Sequence, residues 1–237
     1  MFKKWPSLFW GLLLLPLTLS TLHELPAIAW SWDAYAEGVL ALVAGVVLYG
    51  LFEAAFNRPM RTYVFGHELT HALASVMMGG KVHDFKVSKH GGHVTLSKSN
   101  FFVALAPYCV PLYTLIALAG YFILQFWLPM EQYRWGLLAL IGFTLAFHAS
   151  LTLFAIRQDQ PDLRQTGVFF SLVFIVLINA WVLVLVSKAL FWDLFSIRAF
   201  VLNTLRTQTA IWRWAGLKAW TLGRRAVEYG AAFWQAR

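Results

Sequence analysis

The chain has 237 residues, of which 59% are hydrophobic and 13% charged, against about 45–50% and about 25% in an ordinary soluble domain. A soluble globule would leave most of that apolar surface in water, and a disordered chain needs the opposite balance, so both are excluded and a polytopic membrane protein is expected. The 19 Lys and Arg against 11 Asp and Glu, a formal net charge of +8, then belong to cytoplasmic loops and anionic lipid, with no nucleic acid as partner.

About 20 helical residues cross the ~30 Å hydrocarbon core, and the sequence offers six apolar runs of that order. The first, Ser7 to Leu22, follows Lys3 and Lys4. It also fits a signal peptide ending at Ala27-Ile28-Ala29, but is taken here as a retained span. The second runs from Ala34 to Phe52, and the third, Met60 to Met78, is weaker because it contains His67, Glu68 and His71. Lys81 to Asn100 alternates polar and apolar residues on both sides of Gly91-Gly92, which predicts a β-hairpin. The fourth run, Phe101 to Leu128, carries no charge but holds Pro107 and Pro111, so a kink or a partly unwound segment is expected. The fifth spans Trp135 to Ile156 and the sixth Gly167 to Ser187. Trp5, Trp10, Trp30, Trp32, Trp127 and Trp135 fall at run ends, where interfacial indoles belong.

From Lys188 onward, eight basic residues are interleaved with Trp192, Trp212, Trp214, Trp220 and Trp234. This is the composition of a basic amphipathic helix on the membrane surface, and equally of a solvated helix contacting a partner subunit. The expected fold is therefore an all-α polytopic membrane protein with about six transmembrane helices. Two N-terminal spans occupy residues 1–59, a membrane core with its hairpin at 81–100 occupies 60–187, and the amphipathic tail occupies 188–237. The one cysteine, Cys109, lies inside an apolar run, so there is no intrachain disulfide and any metal must be held by His and carboxylate.

His67-Glu68-Leu69-Thr70-His71 fits the pattern H-E-x-x-H. Residues i and i+4 share a helix face, so both imidazoles can reach one zinc ion, with the glutamate set beside it to act on water. Five residues can match by chance, and two ordinary core or surface histidines would look the same. The apolar setting shifts the balance, because each charged group within the bilayer costs about 2.5–3.5 kcal/mol even on lenient scales. Zinc coordination offsets that cost.

A catalytic zinc takes three protein ligands and leaves a fourth position open. Ala74 and Val76 to Met78 stand where a nearby third histidine would fall, and Glu131 and Glu228 lie at a run border and in the tail. The better candidates are Asp159 and Asp162, at the end of the fifth run. If the third run exits into the hairpin, the fourth crosses away and the fifth returns, so these aspartates emerge on the face from which His67 and His71 are approached. An ordinary Pro161 turn stabilised by Arg157 and Arg164 is the alternative. His148, in mid-span, either faces the water path and the reaction's oxyanion or is a neutral histidine satisfied by a neighbouring helix. His83, His90 and His93 read as solvated loop residues or accessory metal contacts.

His67-Glu68-Leu69-Thr70-His71-Ala72-Leu73 in an apolar helix, the hairpin with Gly91-Gly92-His93-Val94, the run Ala106-Pro107-Tyr108 and the distal Pro161-Asp162 together resemble the M50 intramembrane zinc metalloproteases of the site-2 protease type. The resemblance covers Met60 to Leu163. It implies one Zn2+ held by His67, His71 and a distal aspartate, with Glu68 as general base. It also implies a membrane protein or peptide substrate cleaved in or near its spanning segment by zinc-activated water, and a multi-pass protein of a bacterial inner or cell membrane. In that family the aspartate usually precedes Gly; here Asp162 precedes Leu163, which leaves Asp159 in play, while Pro161 favours Asp162. The hairpin residues Gly91, Gly92, His93 and Val94 are the candidate substrate edge.

Two other classes compete with the protease. One is a non-proteolytic subunit or assembly factor with a structural metal site, which would not need Glu68; the other is a metal transporter, which would need ionisable residues in more of the runs. Six spans put both termini on one side, with thirteen of the nineteen basic residues. By the positive-inside rule that side is cytoplasmic and the active-site face is outside, whereas the resemblance implies a site nearer the cytoplasm.

Overall fold

The computed structural model describes residues 4–29, 35–88, 91–158 and 160–235. Trp30, Trp32, His90 and Asp159 lie outside the described residues, as do the side chains of Trp5 and Trp234. The chain folds into helices α1 (Lys4–Ala29), α2 (Ala36–Phe56) and α3 (Met60–Met77), then strands β1 (Val82–Ser88) and β2 (Gly91–Leu96). Helices α4 (Phe101–Cys109), α5 (Leu112–Leu124), α6 (Arg134–Ile156), α7 (Pro161–Thr166), α8 (Val168–Leu190) and α9 (Ile197–Gln235) follow.

Four segments are long and apolar enough to cross a membrane: Ser7–Ile28, Ala36–Phe56, Met130–Ile156 and Val168–Leu190. The pair α4 and α5, bent by 70°, makes a fifth if it is one broken span. These are four, or five with the bent pair, against the six runs read from the sequence, and the run that does not meet this test is α3. It is a full 18-residue helix, but Arg61, His67, Glu68 and His71 make it too polar to qualify. It is instead covered by α4, α5 and the hairpin.

The break between α4 and α5 falls where Pro111 has no N–H to donate and Val110 is extended, at φ −105° and ψ 109°. The anticipated hairpin is a two-stranded antiparallel sheet, shorter than 81–100. Its register pairs Phe85 with Val94, Lys86 with His93 and Ser88 with Gly91, with an irregularity between Val82 and Asp84. Gly91, the first residue of β2, has φ +144°, a conformation that favours glycine. Asn100 is a helix cap and not a strand residue, because its side chain accepts from the Val103 N–H at 3.0 Å and starts α4.

The two N-terminal helices are part of the core and do not stand apart from it. α1 packs along α8 and α2 along α6. The second contact is backbone against backbone: a Cβ at Gly45 would lie 1.9 Å from the Ala139 carbonyl oxygen, and one at Gly142 would lie 2.0 Å from that of Leu42. Small residues that let helices touch are the usual basis of association in lipid, where burial alone gives little gain. Ser150 of α6 adds a hydrogen bond of 2.5 Å to Glu53 of α2, which also pairs with Arg58 at 2.8 Å. The tail is one helix whose beginning packs on α1, where Thr207 donates to Glu24 at 2.9 Å. Trp212, Trp214 and Trp220 farther along are exposed.

Candidate metal centre

On α3 the four-residue spacing sets His67 above His71, with ring centroids 4.8 Å apart. The third member arrives from the other side of the fold. Pro161 occupies the first turn of α7, where its missing N–H costs nothing, and Asp162 follows it there. Its Oδ2 lies 3.5 Å from Nε2 of His71 and 3.8 Å from Nε2 of His67. One ligand atom from each of the three falls within 4.8 Å of the others. Zinc bonds of about 2.0–2.2 Å in tetrahedral geometry put ligand atoms about 3.4 Å apart, so a slight closure of the trio suits that ion. Among the described residues no fourth His, Cys, Asp or Glu joins the group.

The histidine rings are held from behind. Nδ1 of His71 lies 2.8 Å from the Val103 carbonyl oxygen. A carbonyl can only accept, so Nδ1 carries a proton, and Nε2 is the nitrogen turned toward Asp162. Nδ1 of His67 meets the Tyr63 hydroxyl at 3.2 Å, one helical turn back on α3. The Tyr108 hydroxyl donates to Asp162 Oδ2 at 3.1 Å. Partners of this kind fix ring orientation and tautomer at metal sites. His71 is buried and His67 nearly so, while Asp162 keeps 23% of its side chain accessible. Beside His67 a cavity of about 30 Å³, lined by Tyr63, Thr70, Pro107, Phe147 and His148 among others, has room for about two waters.

Glu68 is half-buried on the same helix, and the hairpin rests against it. A Cβ at Gly92 would sit 3.1 Å from Cγ of Glu68 and 2.7 Å from Cγ1 of Val64. Only glycine lets β2 lie this close to α3. Val94 is half-buried opposite Phe85, whose ring meets Phe65 edge-on at 6.0 Å.

His93 lies at the surface, as the solvated reading of the hairpin histidines has it. It is exposed and lies 3.1 Å from Asp84 Oδ2, which Lys86 also reaches at 3.1 Å. Lys86, and after it His93, hold the Asp84 carboxyl below its usual range against the opposing effect of desolvation. This is a surface ion cluster across the strands. His148 does line the cavity, but its Nε2 is engaged by Asn179 Oδ1 at 3.1 Å, which is the neighbouring-helix arrangement.

Tyr63, Val103 and Asn179 escaped the sequence reading, and Tyr108 entered it only within the run Ala106-Pro107-Tyr108, without a role at the site. Tyr63 had a visible signal, its four-residue spacing from His67. Asn179 stood out only as a lone amide in an apolar run. Compared with known protein families, curated proteins and solved structures, the chain matches none.

Proposed function

We propose that the chain is an intramembrane zinc metalloprotease that hydrolyses a peptide bond in or near a transmembrane segment of another protein. The observation that carries this reading is the convergence of His67, His71 and Asp162, with a glutamate beside the first histidine and, among the described residues, no fourth protein ligand. Three ligands and an open side are the pattern of catalytic zinc; structural sites close all four positions.

His67 and His71 would hold the ion through Nε2, and Asp162 through its carboxylate. When bound, zinc supplies Lewis-acid polarisation of the scissile carbonyl and eases ionisation of water. Glu68 takes the proton of the attacking water as the new C–O bond forms. It then delivers that proton to the amine as the C–N bond breaks. Water comes from the cavity beside His67. A helical substrate hides its carbonyls in internal hydrogen bonds, so it must be unwound first. Among the described residues the hairpin's sheet has two strands, so each has an outer edge, and an extended substrate segment adds to such an edge close to Glu68.

Two measurements test the reading together. Zinc is quantified in purified wild type and in His67→Ala, and cleavage of single-span membrane proteins is compared between wild type and Glu68→Gln. Stoichiometric zinc lost in His67→Ala, with cleavage lost in Glu68→Gln, is expected. Zinc without any Glu68-dependent cleavage refutes the protease and leaves a structural metal site.

A further inference from the structure

The bend between α4 and α5 creates a specific problem. In an unbroken helix the Tyr108 carbonyl would accept from the N–H of Leu112. Here the Leu112 N–H donates to the Val110 carbonyl at 2.8 Å. A carbonyl without a partner at this depth costs several kcal/mol. Asn179 of α8 answers it: its Nδ2 donates to the Tyr108 carbonyl at 2.8 Å and to that of Ile175 at 2.8 Å. Both amide protons are thereby used and Oδ1 faces His148, so it is the Nε2–H of His148 that donates, at 3.1 Å. Tyr108 is therefore held at both ends, by its carbonyl through Asn179 and by its hydroxyl against Asp162 Oδ2 at 3.1 Å. Its side chain is almost wholly buried, and its ring stands edge-on to His67 at 5.3 Å between centroids.

We propose that Tyr108, clamped by Asn179 and His148, is the positioning residue of the Asp162 ligand. α7 is only six residues long and is followed at once by Gly167 at φ +90°. The phenol on α4 reaches this carboxylate from outside the short element and supplies a fixed direction for it. The chain His148–Asn179–Tyr108–Asp162 thus links α6, α8, α4 and α7, and ties the shape of the bend to the aim of the third ligand. This inference rests on the metal-site reading but not on proteolysis, and its test reads metal binding.

Zinc affinity is measured by chelator competition on the full-length protein in detergent, for wild type, Tyr108→Phe, Asn179→Ala and the double variant. A lost outer partner typically weakens metal binding about 10–100-fold, and that loss is expected in Tyr108→Phe, together with a changed visible spectrum of the Co2+-loaded protein. Asn179→Ala should weaken binding in the wild-type background and add nothing once the hydroxyl is gone, because it acts through Tyr108. Wild-type affinity and an unchanged Co2+ spectrum in Tyr108→Phe overturn the proposal while leaving the protease reading intact. Independent, additive losses overturn the chain through Asn179.

Discussion

Replacing Asp162 by Asn keeps the size and shape of the side chain and removes only its charge, which isolates its role as an anionic ligand. Oδ2 stands 3.5 Å from Nε2 of His71, 3.8 Å from Nε2 of His67 and 3.1 Å from the Tyr108 hydroxyl. An amide oxygen at that position can still accept from Tyr108, so the local packing survives. Zinc binding in protein sites is worth about 10–16 kcal/mol; shared over three or four ligands, one ligand accounts for about 3–5 kcal/mol. At about 1.4 kcal/mol per decade, Asp162→Asn should therefore weaken zinc binding by about two to three and a half orders of magnitude. Competition with a chelator of graded affinity reads this directly, and loss of thermal stabilisation by added zinc provides the second readout. Asp159→Asn is the matched comparison and should bind zinc as wild type does. If Asp162→Asn binds zinc normally and Asp159→Asn does not, the ligand assignment is wrong. If neither variant changes, the centre is not a metal site of this composition.

Three further outcomes are expected. Gly142→Ala puts a methyl group 2.0 Å from the Leu42 carbonyl oxygen, a backbone atom that cannot turn aside. It should destabilise the α2–α6 pair by about 3 kcal/mol, the upper end of ordinary overpacking, whereas Gly120→Ala, which meets nothing within 4 Å, should not; thermal unfolding in detergent compares them. Gly92→Ala places its Cβ 2.7 Å from both the Lys86 carbonyl oxygen and Val64 Cγ1, lifting the hairpin from α3, so cleavage should fall at least about tenfold with zinc content unchanged. Proline substitutions along Val94 to Ser97 remove N–H donors from this strand and its exit; they should impair cleavage and spare zinc, and unaltered cleavage would exclude a strand-addition role for the hairpin.

Much of the site was legible because it depends on local spacing. His67 and His71 declare a shared helix face from their interval alone, with Glu68 set beside it, and the acids at the end of an apolar run narrowed the third ligand to Asp159 and Asp162, with Pro161 favouring the second. The hairpin followed from alternation and two glycines. Hydropathy counted without neighbours says less. The residues that make α3 interesting also keep it from qualifying as a span by length and composition, while α4, α5 and the hairpin cover it. His93 sits among the hairpin residues read as a substrate edge, and the antiparallel register sets it across from Lys86 and beside Asp84, exposed as a solvated hairpin histidine is.

The network around Tyr108 could not be read in this way, because its logic is non-local. Pro107 and Pro111 predict a bend, but not which carbonyl the bend leaves without a donor. Asn179 is conspicuous in an apolar helix, but the sequence does not say that α8 lies against the end of α4. Once the two are adjacent, each accounts for the other: the bend frees the Tyr108 carbonyl, and the amide satisfies it. An unbroken helix through residues 101–124 would satisfy that carbonyl internally, leave the Asn179 amide short of an acceptor, and carry the chain beyond Tyr108 along a different path past the cavity beside His67. The physical demand that every buried backbone group in a membrane find a partner thus joins the kink in one helix to the polar residue in another, and through the Tyr108 hydroxyl to the carboxylate at the candidate metal centre.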